Sequence, residues 1–153
     1  MKKTVALVLV GAVSLMIGIG LLVRHQTATP YTVASVKVQR VIDGDTFVLT
    51  NNEHVRIIGI DTPERGQCGY KEATANLQKL IVGRRIILVT DGKQTTDKYK
   101  RLLRYVDVGG KDVGLQQILD GEAHARYDSL DGYHRHSRQD AYHKADDNSK
   151  NRC

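Results

Sequence analysis

Short apolar runs, separated by glycine and polar turn residues, set the pattern of the chain from residue 33 onward. Residues 33–41 alternate between apolar and polar positions, which predicts a first strand. Two β-branched and aromatic runs, 46–50 and 55–60, flank Asn51-Asn52, a pair that tolerates turn geometry. These two runs are therefore predicted to form a β-hairpin that supplies the second and third strands.

Helical and strand patterns alternate after the hairpin. The predicted elements are a helix over 70–82 that ends before Gly83, strands over 85–89 and 102–108, a short helix capped by Asp112, and a weakly amphipathic helix over 138–145. Five strands with one helix between the third and the fourth is the element order of the OB-fold, a small Greek-key barrel that often binds nucleic acids. The sequence therefore predicts an α+β fold: a five-stranded OB-fold β-barrel with about three helices.

A separate apolar segment precedes this domain. Lys2 and Lys3 stand before residues 4–23, which carry no charge, and no good small-residue cleavage site follows. An N-terminal hydrophobic helix of this length is either a retained membrane anchor or a signal peptide. We divide the chain into this segment with its tether (1–30) and the barrel domain (31–153). With the two lysines kept inside, the domain is expected to be secreted or tethered to the outer face of the cell membrane.

Charge and composition narrow the function only slightly. The formal net charge is +6, but the first 30 residues contribute three cations and no acid, which leaves +3 for the remainder. This excess is compatible with a polyanionic partner without requiring one. The chain has one Phe and no Trp, so an aliphatic core is expected.

The ends of the predicted hairpin gather acidic side chains. Asp45 opens the first strand, Asp61 closes the second, and Glu64 follows three residues later. An antiparallel hairpin brings the start of one strand beside the end of the next, so Asp45 and Asp61 are expected to be neighbours. Crowded carboxylates repel one another unless a cation holds them, and oxygen ligands favour Ca²⁺, Mg²⁺ or Mn²⁺ over zinc. The hairpin therefore predicts a divalent metal site.

Three motifs in the same region carry a resemblance to a known family. They are VIDGDT at 41–46, R-x-x-x-x-DTPE at 56–64 and TDKYKR at 96–101. In this order they resemble the signature of the staphylococcal nuclease (thermonuclease) family over residues 36–127. The resemblance implies Ca²⁺ as the ion and the Thr62 carbonyl as a third ligand. It also implies hydrolysis of phosphodiester bonds in single-stranded or frayed DNA and RNA, with little sequence preference and with P–O5′ cleavage that leaves 3′-phosphates.

The resemblance also suggests roles for individual residues. Glu64 is the candidate general base, because a carboxylate near a bound cation can deprotonate a water. Arg56 and Arg101 are the candidates for the phosphate, since a guanidinium fork matches two phosphate oxygens and charge grows there in the transition state. Side chains similar to the family's contacts with nucleotide phosphate and base are Lys98, Tyr99 and Tyr127.

Two positions depart from the family pattern. Lys100 stands where the family commonly has glycine, so a different loop backbone is expected to place Arg101 less well. Ser129 occupies the place of a second base-contacting tyrosine, which affects base preference.

The cysteines and histidines suggest no further catalytic site. Cys68 and Cys153 are the only cysteines of a chain that we expect to be exported, and they are a candidate disulfide. The spacing of His134, His136 and His143 fits no zinc site, so solvated histidines are expected.

Two other functions stay open at the level of sequence. One is an OB-type module that binds single strands without cutting them, and the other is a membrane-tethered DNA-uptake factor whose cleavage is incidental. All five side chains of the catalytic set are present, namely Asp45, Arg56, Asp61, Glu64 and Arg101. Their presence favours a Ca²⁺-dependent nuclease. We separately expect the protein to be a monomer.

Overall fold

A computed structural model describes residues 34–92 and 94–150, which form nine strands and three helices. The strands are β1 Ala34–Val36, β2 Val38–Val41, β3 Thr46–Leu49, β4 His54–Ile57, β5 Ile60–Asp61, β6 Ile86–Val89, β7 Leu102–Val108, β8 Lys111–Asp112 and β9 His124–Ala125. The helices are α1 Tyr70–Ile81, α2 Val113–Leu119 and α3 Gln139–Asp146. The predicted helices and the strand over 102–108 agree with these bounds within a few residues.

The main sheet of the described residues closes on itself. Its strand order is β1-β6-β7-β4-β3-β2, with β8 paired to β7. The β4–β7 pair is parallel, while β5 and β9 form a small antiparallel sheet of their own. Because β1 and β2 lie at opposite ends of this order and are separated by Lys37 alone, one bent segment joins both ends of the sheet. This arrangement confirms the mixed α+β fold with three helices and is consistent with the predicted OB-fold barrel.

The single first strand predicted over 33–41 was wrong in one respect. The structure divides it at Lys37 into β1, in which Val36 pairs with Ile86, and β2, in which Val38 pairs with Leu49. The alternating pattern continues through the break, so it does not reveal that the pairing partner changes there.

The second hairpin strand ends earlier than predicted. After Ile57 the backbone turns through Ile58 and Gly59, whose φ is 77°, before β5 pairs with β9. A Cβ atom on Gly59 would lie 2.4 Å from Nε2 of His136. Both the positive φ and this close approach therefore require glycine at the turn.

The core contains aromatic as well as aliphatic side chains. Phe47, Tyr105 and Tyr142 are buried among the aliphatic residues that line the barrel. Tyr142 belongs to α3, and its hydroxyl lies 2.9 Å from both carboxylate oxygens of Asp112. The helix predicted to be only weakly amphipathic therefore packs its aromatic side chain into the core.

The expectation of solvated histidines was wrong for two of the three. His136 is 6% exposed, and its Nδ1 lies 2.8 Å from the Tyr105 hydroxyl. His143 is half-buried, with Nε2 at 2.5 Å from Oδ2 of Asp128. Only His134 of this group is exposed. Both rings have a specific polar partner elsewhere in the sequence, which the histidine spacing alone does not show.

Several predictions fall outside the described residues. These are the N-terminal hydrophobic helix over 4–23, its tether and the Cys153 end of the Cys68–Cys153 disulfide. The division into two segments, the choice between anchor and signal peptide, and the disulfide all stay predictions. None of the helices in residues 34–92 and 94–150 has the length and hydrophobicity that crossing a membrane requires.

Candidate active site

Asp45 lies buried at the start of β3, with 5% of its surface exposed. Its Oδ1 accepts a hydrogen bond from Oγ1 of Thr46 at 2.9 Å and lies 3.0 Å from Nε of Arg56. Its Oδ2 accepts from the backbone N–H and the hydroxyl of Thr62, at 3.2 and 2.9 Å. Burial raises the pKa of Asp45 to about 6, and the charge of Arg56 acts in the opposite direction.

Arg56 joins the two acids that the sequence predicted to be neighbours. Besides its contact with Asp45, its Nη2 lies 3.5 Å from Oδ1 of Asp61. Its Nη1 donates to the carbonyl of Ile57 at 3.0 Å, which fixes the plane of the guanidinium. Only 9% of Arg56 is exposed. The structure therefore brings both acids to one buried cation.

Tyr127 contacts both Asp61 and Arg56. Its hydroxyl donates to Oδ1 of Asp61 at 3.2 Å, and its ring centroid lies 5.5 Å from Cζ of Arg56. Partial burial and the charge of Asp61 raise the pKa of the Tyr127 hydroxyl, so this group stays a hydrogen-bond donor. Tyr127, which was predicted to bind substrate, is thus hydrogen-bonded to Asp61.

Arg101 is linked to Asp45 through the hydroxyl of Thr46. Its Nη1 donates to Oγ1 of Thr46 at 3.4 Å, and its Nε donates to Oδ2 of Asp97 at 2.6 Å. The other carboxylate oxygen of Asp97 accepts the backbone N–H groups of Tyr99 and Arg101, each at 2.9 Å. Together these hydrogen bonds hold the Arg101 side chain toward Thr46.

We expected Lys100, which replaces a glycine, to change the backbone of the loop before Arg101. Lys100 adopts a φ of 65°, in the left-handed region that glycine enters without strain. Its N–H donates to the carbonyl of Asp97 at 3.0 Å. The lysine therefore occupies a glycine-like backbone conformation, and Arg101 still reaches Thr46.

The other predicted residues are Glu64, Lys98 and Tyr99, and all three are exposed. Glu64 is exposed on the segment between β5 and α1, and its backbone N–H donates to Oε1 of Gln67 at 2.6 Å. Tyr99 is 67% exposed, with Nζ of Lys98 at 5.0 Å and Cζ of Arg101 at 5.5 Å from its ring centroid. Glu64 is thus open to water, and Tyr99 presents an aromatic surface beside two cations.

Sequence reasoning missed two residues that connect the others. Thr46 links Arg101 to Asp45, and Asp97 holds Arg101 in place. Both stand inside the quoted motifs, Thr46 closing VIDGDT and Asp97 preceding Lys98. Motif membership is the signal that could have found them.

The candidate metal ligands have the type of ligand atom that a hard cation prefers. Asp45, Asp61 and the backbone carbonyl of Thr62 supply oxygen only, which is the ligand type that Ca²⁺ takes. Residues 34–92 and 94–150 contain no group of three or more His, Cys, Asp or Glu side chains that could hold a metal ion. A cation at this place would therefore be held by two carboxylates together with backbone and water oxygens.

Comparison with known proteins shows that the chain is similar to nucleases. A family profile described as "Staphylococcal nuclease homologue" matches residues 54–152. The chain is 35% identical over 102 residues to the thermonuclease of Staphylococcus intermedius, which covers 61% of this chain and 60% of that protein. It is 33% identical over 117 residues to endonuclease YncB of Bacillus subtilis (strain 168), which covers 67% of this chain and 56% of that protein.

The matched segment includes most of the candidate site. It begins at His54, so it contains Arg56, Asp61 and Glu64, whereas Asp45 lies ahead of it. The chain spans about three fifths of the length of the thermonucleases it matches. Because the profile covers more than half of the sequence, the chain belongs to the staphylococcal nuclease family.

Proposed function

We propose that this protein is a Ca²⁺-dependent nuclease that hydrolyses phosphodiester bonds in DNA and RNA with little sequence preference. Membership of a nuclease family and the nuclease names of its relatives support hydrolysis of nucleic acid. The observation that carries the proposal is one continuous set of contacts. It runs through Tyr127, Asp61, Arg56, Asp45, Thr46 and Arg101.

A calcium ion would be held by Asp45, Asp61 and the Thr62 carbonyl. When bound, it supplies positive charge near the phosphate and increases the acidity of nearby water. In this structure Arg56 shares its N–H donors between the two carboxylates. Arg56 would also donate hydrogen bonds to a phosphate oxygen that lies beside these acids.

Glu64 acts as the general base. Its carboxylate is exposed, so it has access to the attacking water. The water oxygen bonds to phosphorus while its proton passes to Glu64, and the bond from phosphorus to O5′ breaks. The departing O5′ takes a proton from solvent water and becomes a 5′-hydroxyl, while the phosphate stays on the 3′ side. Arg56 and Arg101 donate hydrogen bonds to the phosphate oxygens, where negative charge grows. Asp97 keeps Arg101 aimed at this place.

The proposal includes a location outside the cell. Lys2 and Lys3, followed by the uncharged segment 4–23, favour export of residues 31–153 as a secreted or tethered domain. Mass spectrometry of the protein from its producing cell would measure the mature N-terminus. An intact residue 1 in a membrane fraction indicates an anchor, an N-terminus near residue 30 in the medium indicates a cleaved signal, and full-length protein in the cytosol would contradict export.

A non-cleaving nucleic-acid-binding module is the second candidate. The exposed rings of Tyr99 and Tyr127 favour it, because stacking on aromatic side chains binds single strands without any catalysis. The DNA-uptake factor tethered through residues 4–23 uses the same surface. Cleavage must therefore be measured separately from binding.

The test uses the full chain, purified in detergent, with a labelled single-stranded oligonucleotide. We expect cleavage with millimolar Ca²⁺ and none with EDTA, and a rate about 100- to 10,000-fold lower for Glu64→Gln because the general base is lost. The thermal unfolding of this variant should match the wild type, since Glu64 is exposed. The matched control is Glu72→Gln, an exposed glutamate on α1, which should cut at the normal rate. A wild-type protein that binds the strand but leaves it intact with Ca²⁺ would establish the binding module instead.

A further inference from the structure

An exposed aromatic pair lies beside the candidate active site and has only a partial role in the proposed chemistry. Tyr127 is 44% exposed and Tyr133 is 59% exposed. Their ring centroids are 5.7 Å apart with an interplanar angle of 85°, an edge-to-face contact. Leu130, in the same loop, is 74% exposed. A cluster of exposed apolar side chains on one loop is typical of a contact surface.

The loop that carries these rings is held by Asp128, which is fully buried. The carbonyl of Asp128 accepts the N–H groups of Asp131 and Tyr133 at 3.1 and 2.9 Å. Its carboxylate accepts the N–H of Leu130 at 2.8 Å and lies 2.5 Å from Nε2 of His143. Burial acts to raise the pKa of Asp128, but these hydrogen bonds hold it below its usual range, so the carboxylate stays charged at neutral pH.

The rings are thereby presented before any ligand arrives. Asp131 strengthens this arrangement, because its Oδ2 accepts the N–H of Tyr127 at 2.6 Å. A side chain that is already ordered loses little conformational entropy when it binds, which favours affinity. The loop is therefore suited to hold a flat ligand.

One end of the pair is fixed at the acids of the active site. The Tyr127 hydroxyl donates to Asp61, and the Tyr127 ring lies beside the Arg56 guanidinium. Tyr133 contacts the Tyr127 ring edge-to-face and so enlarges this aromatic surface. The proposed function assigns Arg56 to a phosphate, so a ligand that fills both places carries an anionic group there and a flat apolar group at the rings.

We propose that Tyr133 is a base-binding residue, which forms with Tyr127 a stacking platform for an unpaired nucleobase next to the scissile phosphate. The inference rests on the nucleic-acid binding of the proposed function. A nucleic-acid strand combines the two required chemistries, since each phosphate is followed by a base. Every base has a π-face, so a tyrosine platform binds single strands without selecting a sequence.

The absence of Trp from the chain allows a direct observation of stacking. Tyr133→Trp introduces a single indole, whose fluorescence is quenched when a base stacks on it. Leu119→Trp is the matched control, because Leu119 ends α2 and is 54% exposed, close to the exposure of Tyr133. Both are made in the full chain with Glu64→Gln, so that the strand stays intact. We expect a single-stranded oligonucleotide to quench the indole at 133 and not the indole at 119.

A second measurement separates stacking from a general effect on the loop. Tyr133→Ala should raise the Kd for the oligonucleotide about 5- to 20-fold, from the loss of one stacking contact. The Kd for an abasic strand with the same number of phosphates should stay unchanged. Tyr133→Phe should bind both strands as the wild type does, since stacking needs the ring and not the hydroxyl.

The outcomes distinguish this inference from the nuclease proposal. An unchanged Kd for Tyr133→Ala, or an equal loss on the base-bearing and abasic strands, would overturn the platform and leave the nuclease intact. Stacking at 133 in a protein that cuts nothing with Glu64 present would overturn the nuclease alone. A wild-type chain that binds no strand would overturn both.

Discussion

Asp97 shows at the scale of a single residue how a neighbour aims a functional group. Its carboxylate accepts Nε of Arg101 at 2.6 Å, and this contact directs Nη1 of Arg101 to Thr46. Asp97→Asn removes the charge that holds Arg101, and small displacements of a catalytic group are costly. We expect kcat/KM on single-stranded DNA to fall about 10- to 100-fold, measured by steady-state kinetics.

Asp140 provides the control for this variant. It pairs with Arg135 on the surface, where both side chains are more than half exposed. Asp140→Asn also removes a carboxylate next to an arginine, but in solvent, where such pairs contribute little. Normal activity of Asp140→Asn and reduced activity of Asp97→Asn would support the aiming role. Equal activities of the two variants would contradict it.

Charged motif residues were predictable from the sequence, and their supporting neighbours were not. Asp45, Arg56 and Asp61 attract notice because charges grouped around one hairpin need a physical reason. Thr46 and Asp97 have residue types that serve ordinary turns and strands, so only coordinates reveal what they contact. Ser129 is a similar case, since its hydroxyl is hydrogen-bonded to Gln139 at 3.0 Å, which the sequence did not indicate.

The turn at Gly59 decides at the scale of an element whether the two acids meet. Thr46 pairs with Arg56 in the β3–β4 ladder, so Asp45 lies opposite Ile57. A straight continuation of β4 by four residues would carry Asp61 about 13 Å beyond Asp45. The predicted continuous strand therefore does not describe the position of Asp61, because the turn returns its carboxylate to 3.5 Å from Arg56.

Gly59→Ala tests the requirement for this turn. The new Cβ combines a φ of 77° with an approach of 2.4 Å to the His136 ring. We expect the free energy of unfolding to fall by about 2–4 kcal/mol, from the backbone strain and the overpacking together. Urea denaturation followed by circular dichroism measures it.

Gly132→Ala isolates the contribution of packing. Gly132 has a φ of 87°, but a Cβ there would meet nothing within 4 Å. This variant should lose only the backbone term, about 1 kcal/mol. Similar losses at the two glycines would show that the contact between Gly59 and His136 is unimportant.

The attachment of α3 was the least predictable feature at the scale of the whole molecule. The helix offers few apolar positions, so its sequence pattern is weak. Arg138, which precedes it, lies 2.7 Å from Asp107 and 2.8 Å from Asp112, and Tyr142 also bonds Asp112. These polar partners are about 30 positions away in the chain, and hydrophobic periodicity contains no information about them.

His136 makes the stability of the whole molecule depend on pH. Burial is the main cause that lowers its pKa from 6.5, while the charges of Asp91 and Asp128 oppose the shift. The unfolded chain therefore binds the proton more tightly than the folded one. We expect the contribution of neutral His136 to the free energy of unfolding to be complete above pH 6.5 and to be lost as the pH falls toward the pKa of the folded state. Urea unfolding between pH 5 and 7.5 measures this change.

Replacing His136 tests whether its lowered pKa causes this dependence of stability on pH. His136→Asn should remove this loss of unfolding free energy at acid pH, whatever it does to stability at pH 7.5. The raised pKa of Asp45, about 6, acts in the opposite direction because the folded chain binds that proton more tightly, so the variant should lose no stability as the pH falls from 7.5 to 5. His134→Asn, at an exposed position two residues earlier, should keep the wild-type slope. A slope that survives in His136→Asn would assign the acid sensitivity to other groups.

The pairing of β5 with β9 has a consequence for the order in which activity is acquired during synthesis. Asp61 is held beside His124 in this two-residue ladder and by the Tyr127 hydroxyl, both contributed by the last third of the polypeptide. A nascent chain that has emerged only as far as Arg101 already contains every charged member of the catalytic set, but not the segment that fixes Asp61. Under the proposed function, we therefore expect nuclease activity only after the segment that contains His124 and Tyr127 has also been made and folded.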